Sequence, residues 1–221
     1  KLPGPYLGTP VTAVDPDGSI ARHIPIDQVI GSVVYPAREV VQPGVIRVIE
    51  GNRFTLGEID GSDTPSVRVI SDAFKAAGFK APVSSDIRSE IWLKVWGNLS
   101  FNPISALTHA TLEDICLFGP TRDLAAGMMR EAQHIGEKLG VQFKVSLEKR
   151  IAGAQAVGQH KTSMLQDVEQ GRPLEVHALL GSVLELGAIT GVPTPTIQAV
   201  HALASLLAKT LTAHSAALRV S

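Results

Sequence analysis

The sequence predicts an α+β protein in which a small, mainly antiparallel β segment precedes an all-helical segment. Two observations support this fold class. Residues 1–62 contain short runs rich in β-branched residues, separated by the turn sequences DPDG, QPG and EGN. From Thr64 onward, apolar residues recur at helical spacing instead. The boundary between the two segments is therefore expected near residues 60–85.

The predicted elements follow from these patterns. Four runs in the first segment are predicted to be the strands of a small meander: 11–14, 29–35, 45–50 and 53–58. A helix is predicted over 66–79, followed by the strand-like sequence FKAPVS. The run SSD, residues 84–86, offers N-caps for a long helix that begins there. Further helices are predicted at 121–140, 145–158, 163–170, 174–190 and 195–213.

Composition and charge argue against several classes of protein. With 20 Lys+Arg against 21 Asp+Glu, the net charge of −1 gives no indication of a nucleic-acid or membrane-surface partner. The single cysteine, Cys116, excludes an intrachain disulfide and suits a reducing cytoplasm. No run approaches the roughly 18 apolar residues of a transmembrane helix. The histidines show no metal-ligand spacing. We therefore predict a cytoplasmic protein without a metal.

A line of polar residues runs along the long helix that contains IWLKVWGNLSFNP, residues 91–103. Lys94, Asn98 and Asn102 recur every four residues. Each such step turns the helix by only ~40°, so the three share one slanted face. A solvated face is the simplest explanation, but asparagine costs up to ~0.7 kcal/mol in a helix and apolar residues occupy nearly every other direction. The trio could instead hold a hydroxyl or carbonyl oxygen, with the lysine supplying a proton.

The rest of this helix should be mostly covered. Its apolar residues predict that Trp92 and Trp96 are at least partly buried and that the lysine lies within an apolar wall. Pro103 predicts that the helix ends or kinks at Asn102. Gly97 gives a partner close access to the helix backbone.

A second polar segment is HKTSMLQDVEQGRPLEV, residues 160–176. Thr162 or Ser163 can cap a short helix whose N–H groups attract an anion such as a carboxylate. Glu175 opens the next helix, where the dipole favours a carboxylate, so these residues alone favour a structural role for it. The other charged residues are expected to be solvated or paired with one another: Lys161, Asp167, Glu169 and Arg172.

These segments together resemble the ketopantoate reductase (2-dehydropantoate 2-reductase) family. The resemblance rests on IRSEIWLKVWGNLSFNPISALT, on HKTSMLQD about sixty residues later, and on the following Glu175 and VPTP. In the first segment, DPDG, IGSVVYPA, PGVIRVIEG and TLGE resemble the middle region of the family. The resemblance covers nearly the whole chain, and the combination of Lys-x3-Asn-x3-Asn with SMLQD is specific.

The resemblance implies NADPH-dependent reduction of the 2-oxo group of ketopantoate, on the way to pantothenate. Lys94 corresponds to the proton-donating lysine of the family, and Asn98 and Asn102 correspond to its substrate-binding asparagines. Glu175 corresponds to a cofactor contact, which reverses the structural role inferred above, and Ala37 falls where the family has a cofactor-lining residue. The substrate-binding segment of the family corresponds to His160, Lys161, Thr162 and Ser163, of which Ser163 is the close match.

The resemblance also implies a domain organisation. Residues 1–85 correspond to the remainder of an NADPH-binding domain of Rossmann type. Residues 86–221 correspond to an all-helical substrate-binding and dimerisation domain, similar to the C-terminal domain of 6-phosphogluconate dehydrogenase. The glycine-rich fingerprint G-x-G-x-x-G of the family does not occur in the sequence, so we expect a truncated chain that is inactive by itself. We also expect a homodimer through the helical domain, whose last helices are apolar and carry little charge.

Two other functions stay open at this point. A reductase of a different 2-oxo acid, or of a related carbonyl compound, would use the same Lys–Asn–Asn trio. A helical association module without activity would also account for the missing fingerprint. Measuring NADPH binding would separate the module from either reductase.

Overall fold

The computed structural model describes residues 2–214 of the chain. These residues form two compact units: one comprises His23–Lys94, and the other comprises the residues up to Arg22 together with those from Val95 onward. Short 3-10 turns at Gly4–Tyr6 and Ile26–Gln28 accompany the main elements, and the turn His177–Gly181 is a π-helix. The strands are β1 (Ile30–Val34), β2 (Ala37–Gln42), β3 (Val45–Glu50) and β4 (Phe54–Glu58). The helices are α1 (Ser19–His23), α2 (Pro65–Ala76), α3 (Ile87–Thr108), α4 (Leu112–Leu117), α5 (Gly119–Lys138), α6 (Leu147–Ala156), α7 (Ser163–Glu169), α8 (Ser182–Thr190) and α9 (Pro195–His214).

The strands of the smaller unit form one long antiparallel hairpin. β1 pairs with β4, with Val34 opposite Phe54, and β2 pairs with β3 further along the same hairpin. The second pair is thus nested inside the first, so the predicted meander is wrong although the antiparallel pairing is confirmed. The strand β2 was not predicted, because its Arg38 and Glu39 interrupt the apolar pattern.

Helix α2 covers one side of β4. Its N-cap is Thr64, whose hydroxyl accepts a hydrogen bond from the Val67 N–H at 3.2 Å. Val67 of α2 and Leu56 of β4 are buried in the same apolar cluster. The predicted strand after α2 is reduced to two isolated parallel bridges, one between Lys80 and Arg53, directly before β4, and one between Val83 and Leu56 of β4.

The start of α3 is held on the hairpin by a pair of glycines. Gly31 and Gly57 lie opposite each other on β1 and β4, and together we call them the glycine notch. A Cβ on Gly31 would lie 2.8 Å from Ile87 Cγ1, and one on Gly57 would lie 2.6 Å from the Ser84 carbonyl oxygen. Ile87, at the first turn of α3, is only 1% exposed. Because only glycine leaves this space, the notch fixes where α3 meets the hairpin.

Helix α3 supplies much of the core of the larger unit. Trp96 is fully buried, and its indole N–H donates to the Met129 carbonyl at 2.7 Å. Trp92 is 9% exposed, so the expected burial of both tryptophans is confirmed. The helix continues past Pro103 to Thr108. Of the two expected effects of Pro103, the helix end at Asn102 is therefore wrong, and the kink stays a prediction.

Gly97 allows another group to approach the helix backbone closely, as the sequence predicts. The guanidinium group of Arg150, on α6, lies directly against the Gly97 backbone, where any Cβ would overlap it. This contact joins α6 to the middle of α3. The described helix α4 was not predicted, because its six residues are too few to show a helical period. Thr111 and Asp114 cap it reciprocally in a capping box.

The N-terminal segment is held by a carboxylate. Glu185, on α8, accepts hydrogen bonds from the Thr12 N–H at 2.7 Å, the Thr12 hydroxyl at 2.8 Å and the Ala13 N–H at 2.7 Å. The strand predicted over 11–14 is therefore wrong, because a side chain takes the backbone donors that a neighbouring strand would need. Burial raises the pKa of Glu185, but the hydrogen bonds from Ala13 and Thr12 outweigh it, so the pKa lies below its ordinary value.

Replacing a glycine of the notch should destabilise the smaller unit. We expect Gly57→Ala to lower the free energy of unfolding by about 1–3 kcal/mol, because its methyl group would overlap a backbone carbonyl that cannot rotate away. Urea unfolding followed by circular dichroism measures this. The matched control is Gly153→Ala on α6, where a Cβ would meet nothing within 4 Å. Equal stability of the two variants would show that α3 does not depend on the notch.

The attachment of the N-terminal segment should be sensitive to acid. The pKa of Glu185 is lowered from 4.5 in the folded chain, so its contribution is fully present above about pH 4.5 and is lost as the pH falls through the folded pKa. We expect Glu185→Gln to remove this component from the pH dependence of the melting temperature. Glu113→Gln, on α4, is the control and should keep the wild-type profile. A Glu185→Gln profile parallel to the wild type would contradict the assignment.

Candidate functional site

Lys94 lies on α3 and is open to solvent. Its ammonium donates a hydrogen bond of 2.6 Å to the backbone carbonyl of Val34, at the end of β1. The side chain is exposed, so the expectation that apolar neighbours enclose it is wrong. The apolar residues of this helix lie on its other sides, where Trp92 and Trp96 are buried. The lysine is therefore both accessible and oriented by a contact to the hairpin.

The Val34 carbonyl is available because of the register of the hairpin. The Tyr35 N–H donates to the Arg53 carbonyl at 3.1 Å, which makes Tyr35 and Arg53 a hydrogen-bonded pair of the antiparallel ladder. Neighbouring pairs alternate, so Val34 and Phe54 form a pair without hydrogen bonds between them. The Val34 carbonyl thus points away from β4 and meets Lys94. An ammonium has three N–H donors, so two remain for a ligand.

A second contact joins the same two elements one helical turn earlier. The Tyr35 hydroxyl donates to Glu90 Oε2 at 3.4 Å, a long hydrogen bond. Glu90 precedes Lys94 by four residues on α3, and Tyr35 directly follows Val34 on the chain. The sequence alone did not predict a role for Tyr35 or Glu90. The four-residue spacing from Glu90 to Lys94 was the available signal.

The two asparagines follow Lys94 along α3 by one and two turns. Asn98 is partly buried and Asn102 is 8% exposed. The Asn102 amide nitrogen lies 3.5 Å from the Ser163 hydroxyl oxygen, at the outer limit of a hydrogen bond. The structure therefore brings together two predicted substrate-binding residues from segments sixty-one positions apart. A small polar group could bind both of them.

The residues before Ser163 differ in what their side chains do. Thr162 is buried and caps α7, accepting a hydrogen bond from the Leu165 N–H at 3.3 Å. Lys161 pairs with Glu169 at 2.6 Å, as the sequence analysis expected. His160 is exposed, and its carbonyl accepts from the Leu112 N–H at 3.0 Å. Ser163, the first residue of α7, is exposed and has its hydroxyl beside Asn102, so it is the member of this segment best placed to meet a ligand.

The two predicted cofactor contacts belong to different units. Ala37 is the first residue of β2 in the smaller unit, and it lies opposite Glu50. Glu175 belongs to the larger unit and is exposed. Residues on both sides of Glu175 contribute to an open cavity of about 470 Å³. The cavity is lined by Pro173, Leu174, Val176, His177, Ser205, Ala208, Lys209, Thr212 and Ala213.

Two classes of site are not found among residues 2–214. Within this range, no group of three or more His, Cys, Asp or Glu side chains could hold a metal ion. No helix there is long and apolar enough to cross a membrane.

Comparison with known proteins shows the family to which the chain is similar. The protein-family model for the C-terminal region of ketopantoate reductase PanE/ApbA matches residues 86–208. A 2-dehydropantoate 2-reductase from Mesorhizobium japonicum is 57% identical over 205 residues, covering 93% of this chain and 63% of that protein. The chain thus spans less than two thirds of the length of this relative.

Solved structures show the same fold. A crystal structure from Ralstonia solanacearum MolK2 is 41% identical, with a TM-score of 0.90 over 94% of this chain and 64% of that one. A 2-dehydropantoate 2-reductase from Methylococcus capsulatus is 28% identical, with a TM-score of 0.80 over 90% and 68% of the two chains. At lower identity, the fold is shared by a D-mandelate dehydrogenase in complex with NADH (17%, TM-score 0.79) and a dimeric ketopantoate reductase from Staphylococcus aureus (21%, TM-score 0.72). The family model covers more than half of the chain, and the chain therefore belongs to the ketopantoate reductase family.

Proposed function

We propose that the complete gene product reduces the 2-oxo group of ketopantoate to the hydroxyl group of pantoate, with NADPH as the reductant. The observation that carries the proposal is the accessible Lys94 ammonium on the helix that also bears Asn98 and Asn102, with Ser163 beside Asn102. The 57% identical relative named 2-dehydropantoate 2-reductase supports this choice of substrate.

Lys94 would act as the proton donor. NADPH, when bound, supplies a hydride to the 2-oxo carbon, and negative charge then develops on the oxygen. The ammonium keeps one N–H on the Val34 carbonyl and directs another at this oxygen. A fixed donor at a developing charge can lower the barrier by roughly 3–4 kcal/mol. Lys94 then gives up the proton and leaves a neutral hydroxyl on the product.

The polar residues beyond Lys94 would bind the substrate. An asparagine amide can both donate and accept a hydrogen bond, which suits Asn98 and Asn102 to the hydroxyl and the 2-oxo oxygen of ketopantoate. Ser163 can donate a hydrogen bond from its hydroxyl group to the carboxylate. Thr162 would shape the segment through its cap, in which its hydroxyl accepts from the Leu165 N–H, because its side chain is buried. Lys161 would contribute positive charge, and His160 would contribute through its backbone, whose carbonyl accepts from the Leu112 N–H.

The residues present fit part of a nicotinamide nucleotide. The exposed Glu175 carboxylate, flanked by residues that line the open cavity, can accept hydrogen bonds from ribose hydroxyls. Ala37 is the other proposed cofactor contact. The sequence contains no glycine-rich fingerprint to bind the diphosphate, so we expect the 221-residue chain alone to be inactive. The domain assignment stays a prediction: a remnant of a Rossmann-type domain in residues 1–85, and a substrate and dimerisation domain of 6-phosphogluconate dehydrogenase type in residues 86–221.

Reduction of a different 2-oxo acid is the second candidate. The Lys–Asn–Asn trio would handle any such carbonyl group equally well. A protein named D-mandelate dehydrogenase shares this fold, so the fold alone does not select the substrate. A panel of 2-oxo acids, assayed with NADPH and NADH, separates the two candidates by kcat/KM and also decides the cofactor preference.

A homodimer through the helical domain is the proposed assembly, in the cytoplasm. On α9, Leu203 and Leu206 are 57% and 62% exposed. They lie one turn apart on the same helix face, and a symmetric pair of chains would cover them. The described S. aureus relative is a dimer, although its identity to this chain supports only the fold.

The role of Lys94 can be tested directly. In the complete gene product, we expect Lys94→Ala to lower kcat roughly 10²–10⁴-fold, the usual range for loss of a general acid. The affinity for NADPH, measured by fluorescence, should change little. Asn98→Ala and Asn102→Ala should instead act mainly by raising KM for ketopantoate.

Lys138→Ala provides the matched control, since this exposed lysine ends α5. It should keep wild-type kcat and KM. A loss smaller than about tenfold for Lys94→Ala would refute its role as proton donor. Unchanged KM in both asparagine variants would refute the substrate-binding role of the polar line.

The oligomeric state can be tested on the chain itself. Size exclusion with light scattering should give twice the 23.4 kDa mass of one chain, and Leu203→Glu combined with Leu206→Glu should give the monomer. Val69→Glu is the control, because Val69 is also exposed but lies on α2 of the smaller unit. A wild-type monomer at high micromolar concentration would contradict the dimer, and a concentration-dependent ladder would indicate association through exposed strand edges instead.

A further inference from the structure

Three successive turns of α3 contact the hairpin through one helix face. Ile87 fills the glycine notch, Glu90 accepts from Tyr35 and Lys94 donates to Val34. These residues are three and four positions apart, which places them on the same side of the helix. All of these contacts lie within the smaller unit. The face that orients Lys94 is therefore set over more than one turn.

The Tyr35–Glu90 and Lys94–Val34 hydrogen bonds are linked by short stretches of backbone, one in the hairpin and one in α3. Val34 and Tyr35 are adjacent on the hairpin, and Glu90 and Lys94 are one turn apart on the helix. The two hydrogen bonds therefore close a ring that passes through backbone on both sides. A shift of Tyr35 therefore moves Val34, and a shift of Glu90 moves Lys94. Either shift changes the geometry of the hydrogen bond between Lys94 and Val34.

The Val34 carbonyl needs such support. Val34 is the final residue of β1, and its carbonyl is not held by the ladder to β4, because it faces the other way. Pro36 follows and contributes no N–H donor to the hairpin. The Tyr35 backbone is held by Arg53 on one side, and the Tyr35 side chain reaches α3 on the other. The side-chain contact thus fixes the strand end that carries the acceptor of Lys94.

We propose that Tyr35 and Glu90 are positioning residues that act through Lys94. The Tyr35 hydroxyl, by donating to the Glu90 carboxylate, keeps the Val34 carbonyl in reach of the Lys94 ammonium. Neither side chain exchanges a proton with the substrate. This inference rests on the proposed role of Lys94 as proton donor.

The test is a double-mutant cycle in the complete gene product. Tyr35→Phe removes the hydroxyl alone and should lower kcat by roughly three- to tenfold, the effect of losing one modest hydrogen bond. Glu90→Ala should have a similar effect, and Glu90→Gln, which keeps an acceptor oxygen, should recover part of it. KM for ketopantoate should stay within about twofold, because the substrate contacts are elsewhere.

The decisive readout is non-additivity. In the Lys94→Ala background, Tyr35→Phe should have no further effect on the single-turnover rate, because residues that act through one group do not add. Tyr6→Phe, the other tyrosine of the chain, is the matched control and should leave kcat unchanged in both backgrounds. Melting temperatures show whether each variant folds.

The possible outcomes separate the two proposals. If Lys94→Ala itself leaves kcat intact, the proposed function of Lys94 fails. If Lys94→Ala is impaired but Tyr35→Phe and Glu90→Ala match wild type, only the positioning role fails. If Tyr35→Phe lowers the rate equally with and without Lys94, the tyrosine acts independently of the lysine and the inference is overturned.

Discussion

The contact between Ile87 and the glycine notch is the constraint on which the smaller unit depends. A helix can approach a two-stranded hairpin this closely only where both strands lack a side chain, and Gly31 and Gly57 meet this condition at opposed positions. The first turn of α3 is thereby fixed in position and direction. Because the helix is continuous, the number of residues between Ile87 and a later residue determines which part of the hairpin that residue lies beside. Lys94 reaches the end of β1 because it comes seven positions, or two turns, after Ile87.

The proposed proton donation by Lys94 depends on this fixed placement of α3 against the hairpin. A lysine on an exposed helix face has many rotamers, and a proton donor must occupy few of them. The backbone carbonyl of Val34 supplies a fixed acceptor without using up the charge of the ammonium. Beyond Lys94, the same helix carries the amides toward Ser163. The buried Trp96 and the Arg150 contact at Gly97 hold this second part of the helix in the larger unit. One helix therefore carries three of the proposed site residues, of which Lys94 is oriented by a backbone carbonyl and Asn102 lies beside Ser163.

Much of this arrangement could be predicted from the sequence, and the rest could not for physical reasons. The long helix, its buried tryptophans and the close approach at Gly97 all follow from residue types at fixed spacing. The strand predicted over 11–14 failed because β-branched residues favour strands only where a partner strand exists, and here Glu185 takes the backbone donors. Pro103 did not end the helix, because tertiary packing around a buried stretch overrides a local preference. The contact of Lys94 with the Val34 carbonyl could not be predicted, because every residue carries a backbone carbonyl and no residue type distinguishes this one.

The site residues show the same division. Lys94, Asn98 and Asn102 were apparent from their period, whereas the accessibility of Lys94 was misjudged because hydrophobic neighbours in sequence do not have to be neighbours in space. The central claim is that the Lys94 ammonium meets the reacting oxygen of the substrate. A crystal structure of the complete gene product with pantoate bound tests this most directly. The account predicts Lys94 Nζ within about 2.7–3.2 Å of the pantoate 2-hydroxyl, while still bonded to the Val34 carbonyl. Pantoate bound with its 2-hydroxyl on another group, out of reach of Lys94, would contradict it.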